Sequence, residues 1–380
     1  KNRMDGRVCS ARVVLRWFVV LVEVVAAAAK TCSVTLYGAV GDGRRDNTEA
    51  FREAFREAAC SEVVVPRGKF VTGAFNVTTR LRLERGAEIL GAEFAWETWD
   101  YHYPAVEPSP GFASSRDFCC VPWTKPLPRQ HAALITVRQG GGIVGGGGGV
   151  VNGRGQRFWR RFLFASSSNF LQVVGMTTGG LLSVMKNVGD FDALLRLSNM
   201  AYPHGRPRLI EVLNAENVVV RGLEVRDSPF WSVHVAASKK VVLEDLSIRA
   251  PNDLWRGIFF FEGWGPNTDG IDVSSSEDVD IRRVFVDVGD DAVSVKAGLR
   301  RKGGGPTRRV TIEDSHFEAQ WLSIGSETAG GVRHVLVRNC TFGSKGEDKR
   351  NGGKVLRGGG EGRRRRRPQH QKVGADLYDV

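Results

Sequence analysis

The sequence predicts an all-β fold, a right-handed parallel β-helix with a helix that caps its N-terminal end. Two observations lead to this prediction: a repeat of short apolar strands in the second half of the chain, and an amphipathic segment ahead of the first strands. The chain has 380 residues, of which 42% are hydrophobic and 25% charged, so it can bury a large core. Length alone favours two or three globular domains, but a repeat overrules such a count.

The repeat consists of five eight-residue segments that align without gaps. They are VVVRGLEV (218–225), VVLEDLSI (241–248), VDIRRVFV (279–286), VTIEDSHF (310–317) and VLVRNCTF (335–342). Each has apolar residues at positions 1, 3 and 8 and a mostly polar pair at positions 4 and 5, where the chain can turn. Such strands cannot each bury a core alone, but stacked coils can. Leucine-rich repeats are disfavoured because β-branched residues dominate; a β-sandwich of unrelated strands is the alternative.

Looser strand segments precede the repeat, at 63–65, 70–77, 81–83, 134–137 and 142–151. An amphipathic helix is predicted over Thr48–Ala59, with Asp46 or Asn47 as its N-cap. This helix would cover the first coil and protect the open end of the solenoid.

The first 30 residues predict a secretory signal peptide. Three arginines, Arg7, Arg12 and Arg16, precede the apolar stretch Trp17–Ala29, which ends in alanines. The stretch is too short and interrupted for a membrane span, so no stable membrane association is predicted; an interfacial helix is the alternative. A secreted, extracellular or cell-wall protein is therefore expected. If Cys9 leaves with the signal peptide, Cys32 and Cys60 can pair, because both lie near the start of the mature chain.

The formal net charge of +12 favours an anionic partner, which composition alone leaves open among nucleic acid, membrane and acidic polysaccharide. Five of the charges form the run Arg363–Arg367, inside a tail (346–380) predicted to be Gly/Arg-rich and disordered. A nucleic-acid contact of that tail is the alternative to a solvated one. The domain is predicted over 32–345, with insertions at 162–200 and 254–265 that are either cleft-lining loops or retained introns.

Three aspartates, Asp269, Asp290 and Asp291, lie close together in the strings NTDGID (267–272) and GDDAVSVK (289–296). Carboxylates that are gathered in one place repel one another, and proton chemistry is the usual reason for a fold to gather them. For any one of them, capping a turn between coils is the alternative. Since side chains alternate along a strand, Asp290 and Asp291 share a cleft only if the chain bends between them, and Gly289 permits such a bend.

A series of motifs then resembles one known family. In chain order they are YGAVGDGRRDNTEAF (37–51), VVVPRGKFVTGAF (63–75), GRGQRFW (153–159), GRPRLI (205–210), SPFWSVHV (228–235), NTDGID, GDDAVSVK and LSIGSETAGGVRHV (322–335). Their number and order, between Cys32 and Phe342, resemble glycoside hydrolase family 28, the polygalacturonases and their relatives.

The resemblance implies a monomeric, secreted hydrolase that cleaves α-1,4-linked galacturonan, the backbone of pectin, by inversion and without metal or organic cofactor. Its partner would be acidic polysaccharide rather than nucleic acid. It assigns Asp290 as the general acid, and Asp269 with Asp291 as the carboxylates that orient and deprotonate the water. In stacked coils, Asp269 and Asp290 are expected one above the other, with their carboxyl groups roughly 6.5 to 9.5 Å apart.

Around the carboxylates, the resemblance implies substrate-binding roles for Asn267, Lys296 and Gln320. Lys296 would either stabilise the ionised carboxylates or meet a substrate carboxylate. Asp272 is expected to have a turn or hydrogen-bonding role. Phe230 and Trp231 would either stack on sugar faces or pack in the core.

The sequence departs from the family at two places. Residues 319–321 are Ala-Gln-Trp where most members carry Gly-His-Gly, so Gln320 would replace a histidine. The family's downstream Arg-Ile-Lys substrate clamp is also missing, because Lys354–Arg357, the segment that stands in its place, is not an equivalent of it. These departures favour, as an alternative, a catalytically impaired β-helix that binds acidic polysaccharide. A calcium-dependent polysaccharide lyase on the same kind of solenoid is a second alternative.

Overall fold

The computed structural model describes residues 30–56, 60–93, 98–107, 109–110, 130–160, 206–253, 263–298, 303–319, 321–325, 327–343, 371–373 and 376–379. Several sequence predictions fall outside these residues: the signal peptide apart from Lys30, the insertion at 162–200, most of that at 254–265, and the arginine run of the tail. No helix in the described ranges is both long enough and apolar enough to cross a membrane.

Two long parallel sheets make up the fold. The helical elements are a 3-10 helix at Val34–Tyr37, α1 at Thr48–Arg56 and α2 at Trp99–His102. The strands are β1 Lys30–Ser33, β2 Asp42–Asp46, β3 Cys60–Val65, β4 Gly68–Thr72, β5 Phe75–Val77, β6 Arg80–Leu83, β7 Ala87–Gly91, β8 Ala105–Val106, β9 Gln130–His131, β10 Ile135–Val137, β11 Gly142–Asn152, β12 Ile210–Leu213, β13 Glu216–Arg226, β14 Val233–Ala236, β15 Lys239–Glu244, β16 Ser247–Arg249, β17 Ile271–Ser274, β18 Glu277–Arg282, β19 Phe285–Asp287, β20 Val293–Lys296, β21 Thr307–Glu313, β22 His316–Phe317, β23 Leu322–Ile324, β24 Val332–Arg338, β25 Cys340–Phe342, β26 Gln371–Val373 and β27 Asp376–Asp379.

The pairing of these strands confirms the predicted β-helix. Seven strands, in the order β5-β10-β12-β14-β17-β20-β23, form one sheet in which every strand comes from a successive coil. The other strands of each coil pair in the large 18-stranded sheet, in parallel except for β26 and β27, while β8 and β9 form a separate antiparallel pair. Because each strand pairs with its counterpart a full coil away, the β-sandwich alternative is excluded.

The polar pair of each repeat turns the chain, as predicted. The fifth position adopts the left-handed conformation in all five copies, at Gly222, Asp245, Arg283, Asp314 and Asn339, with φ between 50° and 70°. Asp and Asn tolerate this conformation better than most residues. Apolar residues at positions 1 and 3 point the other way and fill the core, as Val218 and Val220 do with no exposed surface.

The fourth position of the repeat forms a ladder of alternating charge on the large sheet. Arg221, Glu244, Arg282, Glu313 and Arg338 stand in register from one coil to the next. The Nε atom of Arg282 lies 2.8 Å from Glu244 Oε2, and that of Arg338 lies 2.6 Å from Glu313 Oε2. Opposite charges on adjacent strands favour this pairing over a shifted register.

Helix α1 caps the first coil. It spans Thr48–Arg56, so its predicted start is confirmed, while residues 57–59 of the predicted helix lie outside the described part. Both predicted cap residues contribute: Asp46 Oδ1 accepts a hydrogen bond from the backbone N–H of Thr48 at 2.9 Å, and the Asn47 carbonyl accepts one from Phe51. Phe51 and Phe55 pack on Phe75, which seals the end of the core.

The predicted disulfide between Cys32 and Cys60 is present and ties β1 to the strand after the cap. Replacing both cysteines by alanine is expected to lower the free energy of unfolding by about 2–5 kcal/mol, because the cross-link restricts the unfolded chain. Urea unfolding with and without reductant checks this. Reductant should destabilise the wild type and leave the C32A/C60A variant unchanged; an equal effect on both would contradict it.

Two further strands lie at the far end of the solenoid, within the predicted disordered or divergent tail. Within 346–380, β26 and β27 are ordered and pair antiparallel with β25 and β24 on the last coil. They cover part of an edge that would otherwise expose unpaired backbone groups.

Candidate active site

The predicted aspartates lie where strands of the seven-stranded sheet begin. Asp269 comes just before β17 and Asp291 just before β20, and these two strands pair in register with Ile271 opposite Val293. The N–H of Gly270 donates to the carbonyl of Asp291 at 2.8 Å, which extends the parallel register past the strand ends. The residue stacked on Asp269 is therefore Asp291, and the expectation that Asp290 would occupy that position is wrong by one residue.

A bend brings Asp290 to the same place. The chain bends at Gly289 and Asp290, as the sequence predicted. Glycine is required here because a Cβ at position 289 would lie 2.2 Å from the carbonyl oxygen of Gly265. The Gly289 N–H donates to Thr268 Oγ1 at 3.0 Å and fixes the bend against the turn that carries Asp269.

The three carboxylates converge. One oxygen each of Asp269, Asp290 and Asp291 lies within 4.8 Å of the others. This is closer than the roughly 6.5 to 9.5 Å expected between the carboxyl groups of an inverting pair, although it joins nearest oxygens rather than group centres. The clustering predicted from the sequence is present, but the separation does not by itself select inversion over retention.

Burial and mutual repulsion set the proton affinity of this cluster. Asp269 is 5% exposed, and burial followed by the charge of Asp272 raises its pKa well above the usual value. Burial and the charge of Asp291 also raise the pKa of Asp290, whose side chain remains half-buried. The cluster therefore retains a proton at a pH where an isolated aspartate is ionised.

Asp291 is held by two hydroxyl groups. Ser294 Oγ and Ser323 Oγ donate to its Oδ2 at 2.7 and 2.6 Å. Hydrogen bonds donated to an oxygen suit an ionised carboxylate. The serines come from β20 and β23, so consecutive coils orient this side chain.

Asn267 lies between a buried arginine and the predicted acid. Its Nδ2 donates to Asp290 Oδ2 at 3.3 Å, and its Oδ1 accepts from Arg206 Nη2 at 2.7 Å. The structure thus brings Asn267 to a catalytic carboxylate, one of the two roles inferred for it from the sequence. Arg206 belongs to the motif GRPRLI, but no feature of that motif predicted its contact with the site.

Lys296 lies beneath the carboxylates, 6% exposed. Its Nζ is 2.7 Å from Asp272 Oδ1, 3.8 Å from Asp269 Oδ2 and 3.9 Å from Glu327 Oε2. Burial lowers the pKa of Lys296, but these carboxylates outweigh that effect and hold the pKa above its usual range. The geometry favours the stabilising role over a contact with a substrate carboxylate.

Asp272 is not a turn residue, since it lies within β17 and has no exposed surface. Burial raises its pKa to about 7 against the opposing effect of Lys296. Its contact in the structure is the buried ion pair with Lys296.

Phe230 and Trp231 pack inside rather than against solvent, at 1% and 3% exposure. Their rings stack on each other, and Lys296 Nζ lies 3.9 Å from the Trp231 ring centroid. Core packing is therefore their role in this structure, with the ring face of Trp231 stabilising the buried ammonium group.

A Glu-His-Ser constellation lies beside Asp272 on the same sheet. His234 Nδ1 is 2.9 Å from Glu211 Oε1, and its Nε2 is 3.1 Å from Ser274 Oγ. Burial and Arg208 lower the pKa of His234 to about 4. Because His234 and Ser274 have no exposed surface, the constellation cannot meet a substrate and is a structural network.

The position of the family histidine is only partly described. Gln320 lies outside the described residues, so its predicted substrate-binding role stays a prediction. Its neighbour Trp321 accepts a hydrogen bond from the N–H of Ala292 and is 48% exposed. Trp321 is thus an exposed aromatic residue on the coil that follows Asp291, and such residues suit a sugar face; from the sequence it stood out only as a departure from the family.

The three aspartates also supply the ligand types that a hard cation prefers, one oxygen each. Lys296 beneath Asp269 already neutralises part of their charge. No metal was expected from the sequence. Activity measured with and without a chelator distinguishes a bound cation from neutralisation by Lys296 alone.

Comparison with known proteins fits this geometry. Residues 198–350 match the model of "Glycosyl hydrolases family 28", a range that contains all three aspartates. A probable polygalacturonase of Vitis vinifera is 26% identical over 326 residues, which cover 82% of this chain and 54% of that protein. Residues 198–350 are therefore similar to glycoside hydrolase family 28, and the polygalacturonase relatives support the same family. It is also similar to a polygalacturonase of Juniperus ashei, 24% identical over 329 residues that cover 84% of this chain and 50% of that one.

The chain spans about half the length of these two relatives. Among solved structures, an exopolygalacturonase of Thermotoga maritima superimposes with a TM-score of 0.57 at 24% identity, over 82% of this chain and 66% of that one. A polygalacturonase of Erwinia carotovora gives a TM-score of 0.55 at 19% identity, over 83% and 69% of the two chains. These likenesses agree with the β-helix described above.

Proposed function

We propose that this chain is a secreted glycoside hydrolase that cleaves α-1,4-galacturonosyl linkages of pectin by an inverting acid/base mechanism. The observation that carries the proposal is the convergence of Asp269, Asp290 and Asp291, whose nearest carboxylate oxygens lie within 4.8 Å of one another where strands of one sheet begin. A family of hydrolases and three gathered carboxylates, of which Asp269 and Asp290 have raised pKa values, point to the same chemistry.

Asp290 acts as the general acid. Burial and the charge of Asp291 raise its pKa, so it keeps its proton to a higher pH than an isolated aspartate does. Its partial exposure lets the carboxyl group reach a glycosidic oxygen, to which it gives its proton as the bond to the anomeric carbon breaks. The Nδ2–H of Asn267 then stabilises the carboxylate left behind.

Asp291, with Asp269 beside it, orients and deprotonates the water. The serine hydroxyls on Oδ2 hold Asp291 ready as a carboxylate that can accept a proton. Asp269 is more deeply buried, and Lys296 Nζ at 3.8 Å offsets its charge. Water attack on the side of the sugar opposite to the leaving group gives inversion at the anomeric carbon.

An acidic polysaccharide substrate is supported by the names of the relatives and by the net charge of +12. The exposed Trp321, whose backbone carbonyl accepts a hydrogen bond from the N–H of Ala292, offers an aromatic ring for a pyranose. Secretion is supported by the leader-like first 30 residues and by the Cys32–Cys60 disulfide, which forms and persists in oxidising compartments.

The test is incubation with polygalacturonate. Reducing ends are expected to appear without unsaturated products and to resist chelator, and proton NMR of the first product is expected to give the anomer of inverted configuration. Retained configuration would overturn the mechanism but not the activity. Unsaturated, chelator-sensitive product would instead indicate the lyase, and binding of polygalacturonate without any cleavage would indicate the impaired binding protein.

A further inference from the structure

Arg206 is the most deeply buried cation beside the site that the mechanism above leaves without a role. It is 1% exposed, and its Nη1 donates to the carbonyl oxygens of Pro229 at 3.0 Å and Pro266 at 2.7 Å. Its Nη2 donates to Asn267 Oδ1 at 2.7 Å. A single guanidinium therefore joins the loop before β14 to the turn that carries Asn267 and Asp269.

We propose that Arg206 is a positioning residue that fixes the side-chain amide of Asn267 so that its NH₂ group faces Asp290. The inference rests on the proposed function of Asp290 as the acid. It adds a residue, remote from the substrate, that controls how this acid gives up its proton.

The physical basis is the asymmetry of the amide group. The two ends of an asparagine amide have nearly the same shape, and only their hydrogen-bond partners decide which end points where. Arginine can only donate, so Arg206 binds the oxygen end of Asn267 and leaves the nitrogen end for Asp290. If the amide were reversed, two donors would face each other at Arg206 and two acceptors at the ionised Asp290.

The orientation matters at the moment of proton transfer. As the proton passes from Asp290 to the glycosidic oxygen, negative charge develops on the carboxylate that Asn267 contacts at Oδ2. A donor already aimed at that oxygen stabilises the charge without reorganising. A reversed amide would stabilise the protonated acid instead and raise the barrier.

The backbone at Asn267 needs the same support. Its φ of 53° lies in the left-handed region, which asparagine adopts only at single positions. The bonds from Arg206 to Asn267 and to the adjacent carbonyl of Pro266 hold this turn. Position and direction of the amide are thus set by one side chain.

Arg206→Met tests the proposal, with Arg208→Met as the matched control. Arg208 is equally buried and packs on the same ring of Phe230, but its ion pair is with Glu211, 3.6 Å away. R206M is expected to lower kcat by about 10- to 100-fold, the loss of a hydrogen bond to a charged group. The alkaline limb of its pH–rate profile should move upward by about one pH unit, because Asn267 no longer lowers the pKa of Asp290.

A double-variant cycle separates positioning from a direct charge effect. If Arg206 acts through Asn267, R206M/N267A should be no slower than N267A, and its alkaline limb should not move further. The proposal would be overturned if the losses in kcat were additive, or if R206M still shifted the alkaline limb of the pH–rate profile when N267A is already present. R206K keeps the positive charge but not the two-pronged guanidinium, and it replaces R206M in the test if R206M does not fold. The kcat of R206K should lie between those of the wild type and N267A.

A second readout does not depend on turnover. The ¹⁵N side-chain amide signals of Asn267, assigned by their loss in N267A, should titrate with Asp290 in the wild type and in R208M, and this titration should vanish or move upward in R206K and R206M. Should the wild type fail to cleave polygalacturonate, the proposed function is lost while this titration still decides the positioning role. If the midpoint of this titration were unchanged in both R206K and R206M, the positioning role of Arg206 would be refuted.

Discussion

Replacing Asp290 by asparagine is expected to lower kcat on polygalacturonate by about 10³-fold, in the range of a lost general acid. The amide keeps the shape of the side chain but cannot supply a proton to the leaving oxygen. Reducing-end release at saturating substrate measures the loss, with little change expected in the KM. Since burial and Asp291 raise the pKa of Asp290, the wild type should lose activity as the pH rises through that raised value, and D290N should lack this limb.

Asp280→Asn is the control for this change. Asp280 is an exposed carboxylate on β18, in the large sheet, and its replacement removes the same charge from the same fold. D280N should retain the activity and the pH profile of the wild type. Equal activity of D290N and the wild type would contradict the role of Asp290, whereas loss in both variants would point to net charge instead.

Replacing Lys296 by methionine is expected to have the largest effect on stability, about 3–5 kcal/mol at pH 8, because it leaves buried carboxylates without their cation. The ammonium group of Lys296 is in contact with Asp272 and near Asp269 and Glu327, all of them largely buried. Urea unfolding of K296M and of the exposed Lys239→Met gives the measurement and its control. A loss no greater in K296M than in K239M would contradict the prediction.

The pH dependence of that loss follows from Asp272. Its pKa in the folded protein is raised to about 7, so it favours folding fully below its unfolded pKa and loses that contribution as the pH rises through about 7. Without Lys296 the pKa rises further, so K296M continues to lose stability above pH 7 where the wild type levels off. The difference between the two proteins should therefore be smaller at pH 5.5 than at pH 8.

Much of the fold followed from local pattern. The polar pair of each repeat turns the chain because it lies between core positions, and residues such as Asp245 and Asn339 tolerate the left-handed conformation that the turn needs. Asp46 and Asn47 marked the start of the capping helix for a similarly local reason. The two strands within the tail were not predicted from the sequence, because their pairing partners, β24 and β25, lie about thirty residues or more away.

The sequence predicted which carboxylates form the site, but it predicted their arrangement less well. Coil length varies along the chain, so spacing alone placed Asp290 opposite Asp269, where the register places Asp291. Lys296 was correctly linked to the carboxylates, but its burial depends on Trp231 and Glu327, which come from other coils. Arg206 reaches Asn267 across 61 positions of sequence, and no local pattern announces such a contact.

By itself the sequence determined the repeat, the turns, the cap and the identity of the three aspartates, since each depends on residue type within a short window. The tertiary structure decided which aspartates stack, how closely their oxygens approach and which buried cations stand beneath them. Those properties arise where separate coils meet, and the energies of buried charges depend on all neighbours at once rather than on neighbours in sequence.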